Sequence, residues 1–152
     1  MSATESKTVA RRFIEELWNA RRLELADELF APDCVTHQLR SGEADASAPR
    51  TPDMVKRHVA SWLAAFPDLR FDIEQMIAEA DMVVTRCTMR GTHSATWLGV
   101  APTGREVSVR MFISQRIAGG RIVEDWVLVE SLGLFQQLGL VPPREELLPP
   151  PK

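Results

Sequence analysis

The chain has 152 residues, of which 45% are hydrophobic and 26% charged, and its formal net charge is -3. That describes one soluble globular domain, spanning 1–152, long enough to bury about 68–70% of its unfolded surface without disulfide or metal staples. It lacks the basic surplus that nucleic-acid binding needs, holds no apolar run of about 18 residues that would cross a membrane, and starts without an apolar signal core, so a cytoplasmic protein is expected.

Apolar residues at helical spacing predict a first helix over Thr8–Ala20, with Val9, Phe13, Ile14, Leu17 and Trp18 on one stripe and Arg11, Arg12, Glu15 and Glu16 on the wet face. A short second helix over Leu23–Phe30 is stopped by Ala31-Pro32-Asp33, and Cys34–Leu39 reads as extended. Ser41–Arg50 is small, polar and aperiodic, which predicts a loop. Thr51, Pro52 and Asp53 then form a helix start, and Val55, Val59, Trp62, Leu63 and Phe66 continue it until Pro67. The remainder alternates as strands do: Leu69–Ala78, Met82–His93, Glu106–Ile117 and Arg121–Glu130, the last two joined by an Ala118-Gly119-Gly120 hairpin turn. Leu132–Leu138 predicts a terminal helical turn ended by Gly139. The domain core is expected over about 8–140, and the prolines of 141–152 predict a non-helical tail. Helices followed by an antiparallel meander give an α+β fold.

Alternation sorts the strands into faces. Val83, Thr85, Cys87, Met89 and His93 share one face, as do Val107, Val109, Met111, Ile113 and Gln115, and Val123, Asp125, Val127 and Val129. Arg86, Arg90, Arg110 and Arg116 lie on the opposite faces, with Ile122, Glu124, Trp126, Leu128 and Glu130 on that side of the last strand. The apolar faces should meet the helices, which leaves Thr85, His93, Gln115 and Asp125 as polar exceptions. Asp125 among valines is the most informative of them. A buried carboxylate must be paired with Arg or backbone N–H groups, or be used for proton transfer.

The available chemistry is narrow. There is no Tyr, and Lys7, Lys56 and Lys152 lie outside apolar strands, which excludes a phenol acid and makes a Schiff-base lysine unexpected. Cys34 and Cys87 fit no CxxC spacing, and three histidines suggest no metal site, so neither metal nor cofactor is expected. G-x-S-x-G, H-E-x-x-H, P-loop and G-x-G-x-x-G patterns are absent.

Gly91-Thr92-His93, Leu98-Gly99-Val100-Ala101-Pro102-Thr103-Gly104-Arg105, Gly120–Trp126 and Leu134-Phe135-Gln136-Gln137-Leu138-Gly139 form a distinctive series, supported earlier by Phe13–Asn19, Ala31–His37 and Ala64–Leu69. The series resembles the SnoaL-like polyketide cyclase (ester cyclase) family, over roughly Val9–Gly139. The resemblance implies the cone-shaped fold of the nuclear-transport-factor-2-like superfamily, in which a curved antiparallel sheet wraps N-terminal helices around a central apolar pocket. It also implies sheet-to-sheet homo-oligomers (dimer or tetramer) and a cofactor-free aldol ring closure driven by a pocket aspartate. In the register of the resemblance, however, the acid/base aspartate of the anthracycline cyclases falls on Val127, and a pocket histidine on Ile113. Glu130 matches an aspartate of many members, Asp125 stands at a family histidine, and His93 and His37 match histidines of the family's G-T-H and V-x-H pieces.

These readings converge on an acid/base enzyme acting on a hydrophobic carbonyl-containing small molecule, by cyclisation or isomerisation. Asp125 would be its acid or base, and His93 or His37 would polarise the carbonyl. Trp97, Cys87, Met89, Met111, Ile113, Val127 and Glu130 would contact the substrate. The alternative is a non-catalytic binding protein on the same fold, to which Val127 and Ile113 lend weight. A third reading makes the outer sheet face a platform, with its arginines meeting Glu124 and Glu130 across a two-fold axis.

Overall fold

The computed structural model describes residues 1–39 and 47–152; most of the expected Ser41–Arg50 loop lies outside the described residues. The first helix, α1, runs over Ala3–Arg12 and so begins before Thr8. Ser2 starts it through a reciprocal cap: its hydroxyl accepts from the Glu5 backbone at 3.2 Å, while the Glu5 carboxylate accepts from the Ser2 backbone at 2.6 Å. Residues 13–19 continue as a π-helical segment that buries Phe13, Ile14, Leu17 and Trp18. Asn19 ties its end to the sheet, donating to the Phe71 carbonyl at 2.8 Å and accepting from the Phe71 N–H at 2.9 Å.

A 3-10 turn at Leu23–Leu25 and the short α2 (Ala26–Leu29) lead into β1 (Phe30–Leu39), which starts four residues ahead of the extended piece expected at Cys34. Residues Ser47–Pro49, expected as loop, form a three-residue edge strand, β2, paired with β1. Thr51 caps α3 (Pro52–Ala65), its hydroxyl accepting from the Met54 N–H at 3.3 Å. Then follow β3 (Arg70–Glu79), β4 (Met82–Thr92), β5 (Glu106–Ala118), β6 (Arg121–Val129) and α4 (Ser131–Gln137). The tail is not wholly non-helical: α5 forms one turn over Arg144–Leu147, after Pro143, where a helix start needs no N–H.

The described strands form one six-stranded sheet in the order β2-β1-β6-β5-β4-β3. Every pairing is antiparallel except β1 with β6, which is parallel. This curved, open sheet is the α+β cone expected from the sequence. Gly119 and Gly120, at φ of 56° and 76°, make the β5–β6 turn in a conformation that side chains resist. Register breaks in β1, near Glu74 and at Val123 bend the strands. The break at Val123 corrects the face assignment. Arg116 pairs with Glu124, but the next residue of β5, Ile117, pairs with Ile122. Ile122 is therefore fully buried beside Ile117, and Val123 is only half-buried. Beyond the bulge the alternation holds, with Asp125 and Val127 inside and Trp126 and Leu128 outside.

On the outer face Arg86, Arg90 and Arg110 are exposed. Arg116 pairs within its own chain, with Asp81 at 2.9 Å and Glu124 at 3.3 Å.

Candidate functional site

The register brings one polar row to the inner face. Thr36 of β1 lies beside Asp125 of β6, and Asp125 lies beside Gln115 of β5. Gln115 in turn faces Val83 of β4. The neighbouring inner row holds Gln38, Val127, Ile113 and Thr85, so apolar side chains flank the polar ones. Asp125 is 0% exposed, and Thr36, Thr85 and Gln115 are also buried.

Arg50 closes over this row. It follows β2 and precedes the Thr51 cap, and its backbone N–H donates to the Cys34 carbonyl at 2.7 Å. Its Nη1 lies 3.4 Å from Asp125 Oδ2 and donates to Thr36 Oγ1 at 3.3 Å. Its guanidinium sits over the Phe30 ring, 5.6 Å from the centroid. The Arg50–Asp125 contact is an ion pair without hydrogen-bond geometry. Neither Asp125 oxygen accepts a well-formed hydrogen bond, although the Thr36 hydroxyl pulls weakly on the carboxyl, and Arg50 Nε, Gln115 Nε2 and Thr85 Oγ1 are likewise buried and unmatched. Each such group costs about 1–3 kcal/mol in a finished core. Several of them share this one row.

Burial pushes the Asp125 carboxyl above its ordinary value, against the pull of the Arg50 charge and, more weakly, of the Thr36 hydroxyl and His37. The proton therefore stays on Asp125 at higher pH than on an exposed aspartate. Nearby, burial and then the Asp125 charge push the Cys34 thiol up to about 12, which leaves it an inert core group.

The other expected site residues scatter. His37 neighbours Thr36 in sequence and so faces the opposite side. It stacks on Trp126 at 4.9 Å between centroids, and its Nε2 lies 2.9 Å from Glu124 Oε1. The His37 bond and then Arg116 hold the Glu124 carboxyl below its usual range, against a partial desolvation. His93 is on the inner face but at its far end. It lies ten residues along β4 from Val83, which is level with Asp125. At about 3.3 Å per residue that is roughly 30 Å of strand, so the two side chains do not meet. His93 is fully buried and stacks on Phe66 at 5.3 Å. The Thr103 N–H donates to its Nδ1 at 3.2 Å, which puts the ring proton on Nε2, and Nε2 has no partner.

Cys87, Met89, Met111, Ile113 and Val127 all line the inner face between these ends. Burial pushes the Cys87 thiol up to about 12. Trp97 is half-buried in an aromatic group with Trp62 at 5.0 Å, Phe66 at 5.9 Å and Phe135 at 6.4 Å. Glu130 is on the outside instead. It is exposed before α4 and lines a polar cleft of about 400 Å³ with Glu74, Thr88, Arg90, Ser108 and Arg110. Among the described residues, no three His, Cys, Asp or Glu side chains converge as metal ligands would. No described helix is long and apolar enough to cross a membrane.

The family model of the SnoaL-like polyketide cyclases matches residues 8–138. The chain belongs to this family. No curated protein matches it. Among solved structures, AclR of Streptomyces galilaeus, assigned as a hydroxylase, is 30% identical with a TM-score of 0.81, over 96% of this chain and 89% of AclR. IdmH of Streptomyces antibioticus, assigned as a polyketide cyclase, is 34% identical with a TM-score of 0.76, over 88% of this chain and 98% of IdmH. A SnoaL-like protein of Jannaschia shares the fold at 21% identity and a TM-score of 0.80, over 93% of this chain and 95% of that one. A SnoaL-like chain can thus stand near proteins assigned to different reactions, and its own chemistry has to be argued from its side chains.

Sequence reasoning singled out Thr85, Gln115 and Asp125 but missed Arg50. The aperiodic polar stretch around it gave no sign of burial. The available signal was indirect: an aspartate among valines needs a cation, and Arg50 directly precedes the α3 cap.

Proposed function

We propose that this SnoaL-like protein is a cofactor-independent acid/base enzyme. Its substrate would be a hydrophobic small molecule with a carbonyl group, and Asp125 would move a proton at the carbon beside that carbonyl. The observation that carries the reading is the Asp125 carboxylate: fully buried, raised in proton affinity, and with neither oxygen closed into a well-formed hydrogen bond. A carboxyl whose proton affinity is raised above that of an exposed aspartate is a stronger base toward a C–H proton. The apolar inner face between Asp125 and His93 would orient the substrate, and orientation alone can contribute about 7–11 kcal/mol. Isomerisation and ring closure both fit, because each begins with removal of that proton. His93 and Asp125 are too far apart to serve one carbonyl group, and His37 belongs to the outer network, so the proton-transfer role rests on Asp125.

Deuterium washout from 2-tetralone, a bicyclic ketone with an acidic C–H beside its carbonyl, tests this without knowledge of the natural substrate. The wild-type protein should accelerate washout, and Asp125→Asn should lower the accelerated rate at least about tenfold. An unchanged rate in that variant would sink the proposal. It would favour the binding-protein reading, for which the proton-inert Val127 and Ile113 speak.

Self-association through the outer sheet face is the partner reading the surface supports. Phe112 and Leu128 pair across β5 and β6, each 47% exposed, with the exposed Leu39 beside Leu128.

A further inference from the structure

Arg50 has more hydrogen-bonding capacity than its surroundings use. A guanidinium carries five N–H donors and stays charged under all ordinary conditions. Here Nη1 reaches Thr36 at 3.3 Å, Nε has no partner, and the side chain is only 9% exposed. A structural arginine–carboxylate pair closes to two parallel bonds of about 2.7–2.9 Å. The Arg50–Asp125 pair stays open at 3.4 Å, with neither carboxylate oxygen in a well-formed hydrogen bond and only a weak pull from the Thr36 hydroxyl. Gln115, directly opposite Asp125 on β5, contributes a buried Nε2 that also lacks a partner. Three elements thus bring together spare donors and a spare base. The group that satisfies both is a carbonyl, its oxygen meeting the donors and the carbon beside it carrying an acidic hydrogen for the base.

We infer that Arg50 is a catalytic residue that holds the substrate's carbonyl oxygen as it becomes negative, with Gln115 as a second donor. The inference rests on the proton-transfer reading of Asp125 and narrows its substrates to enolisable ketones. Asp125 takes the proton from the carbon beside the carbonyl. The C–H electron pair becomes the new C=C bond, and the carbonyl π pair moves to oxygen, giving an enolate paired with Arg50. Asp125 then returns the proton, to another carbon in an isomerisation or to the new alkoxide oxygen in a ring closure. Nothing is oxidised or reduced. Such a donor acts most strongly on the charged species and least on the ketone, which is how it lowers a barrier.

The probe is 2-naphthol, a stable planar analogue of the enol of 2-tetralone, whose ionised form differs in absorbance and fluorescence. Binding is measured in Asp125→Asn, which removes the repelling carboxylate and imitates the protonated base. That variant should bind 2-naphthol with the naphtholate spectrum at a pH where free naphthol is neutral. Adding Arg50→Met should weaken binding at least tenfold and restore the neutral spectrum. Adding Arg50→Lys, which keeps a charge in case the methionine variant does not fold, should give an intermediate ionised fraction. Absence of naphthol binding, or equal binding and ionisation with and without Arg50, would overturn the inference. The 2-tetralone washout separates the two assignments. Washout that survives Asp125→Asn removes the base and not the oxygen site, whereas normal washout with a failed naphthol result removes Arg50 alone.

Discussion

Asp125→Asn should make the folded protein more stable at neutral pH, although it breaks an ion pair. Two opposed quantities decide the sign. The Arg50 charge at 3.4 Å attracts the carboxylate by about 5 kcal/mol at an effective dielectric of about 20. Full burial removes the carboxylate's hydration, an effective penalty of several kcal/mol per ion. Burial is the larger of the two influences on the Asp125 carboxyl and the Arg50 charge the smaller, so folding raises its affinity for the proton. An asparagine has no charge to bury, so the variant should show the higher urea midpoint and Tm at neutral pH. The size of the difference depends on pH. Below about pH 3.9 the aspartate is protonated folded and unfolded, and the two proteins should be equally stable. As pH rises toward the raised folded value, the unfolded chain loses its proton while the folded one keeps it, and the wild type loses stability. Above that value the difference levels off. The other ionisable groups near Asp125 are Arg50, His37, Cys34 and Glu124, and all four are present in both proteins. Urea denaturation of both proteins from pH 3.5 to 8 measures the curve. A variant less stable than the wild type by more than about 1 kcal/mol at pH 7 would refute the reasoning, because the ion pair would then be a structural asset.

Three further outcomes follow from the packing. Cys34 and Cys87 are buried, with thiols pushed up to about 12, so a thiol reagent at pH 8 should label neither in the folded protein and both in urea. Rapid labelling before unfolding would contradict the burial. Asn19→Asp replaces the donor to the Phe71 carbonyl with a repelling oxygen and should cost about 1–3 kcal/mol, read as a lower urea midpoint. No loss would mean that the Asn19 clamp does not hold the π-helical segment to β3. Phe112→Glu and Leu128→Glu should each reduce the mass measured by light scattering if the outer face joins subunits, and a wild-type monomer would remove that reading.

Where side chains announce their environment, the sequence was a good guide. Thr51-Pro52-Asp53 marked the start of α3, and the two-residue alternation in β4 and β5 named their buried faces, because period and capping are local properties. The start of α1 escaped because residues 3–7 have little apolar periodicity, although Ser2 and Glu5 spelled the cap that begins it. Ile122 was placed outside because a bulge costs one residue of register and leaves no mark in an alternating pattern. The site was half legible for the same kind of reason. Asp125, Gln115 and Thr85 broke an apolar face and stood out. Arg50 and the parallel β1–β6 pairing depend on contacts between distant segments, and the pairing alone decides that Thr36 faces inward and His37 outward.

The most direct test of the central claim is the pH dependence of 2-tetralone washout. If Asp125 is the base, the accelerated rate should rise with pH as its carboxyl ionises. The midpoint should lie above the ordinary aspartate range and coincide with the pH at which the stability difference from Asp125→Asn levels off. A flat profile, or a rise that persists in Asp125→Asn, would contradict it.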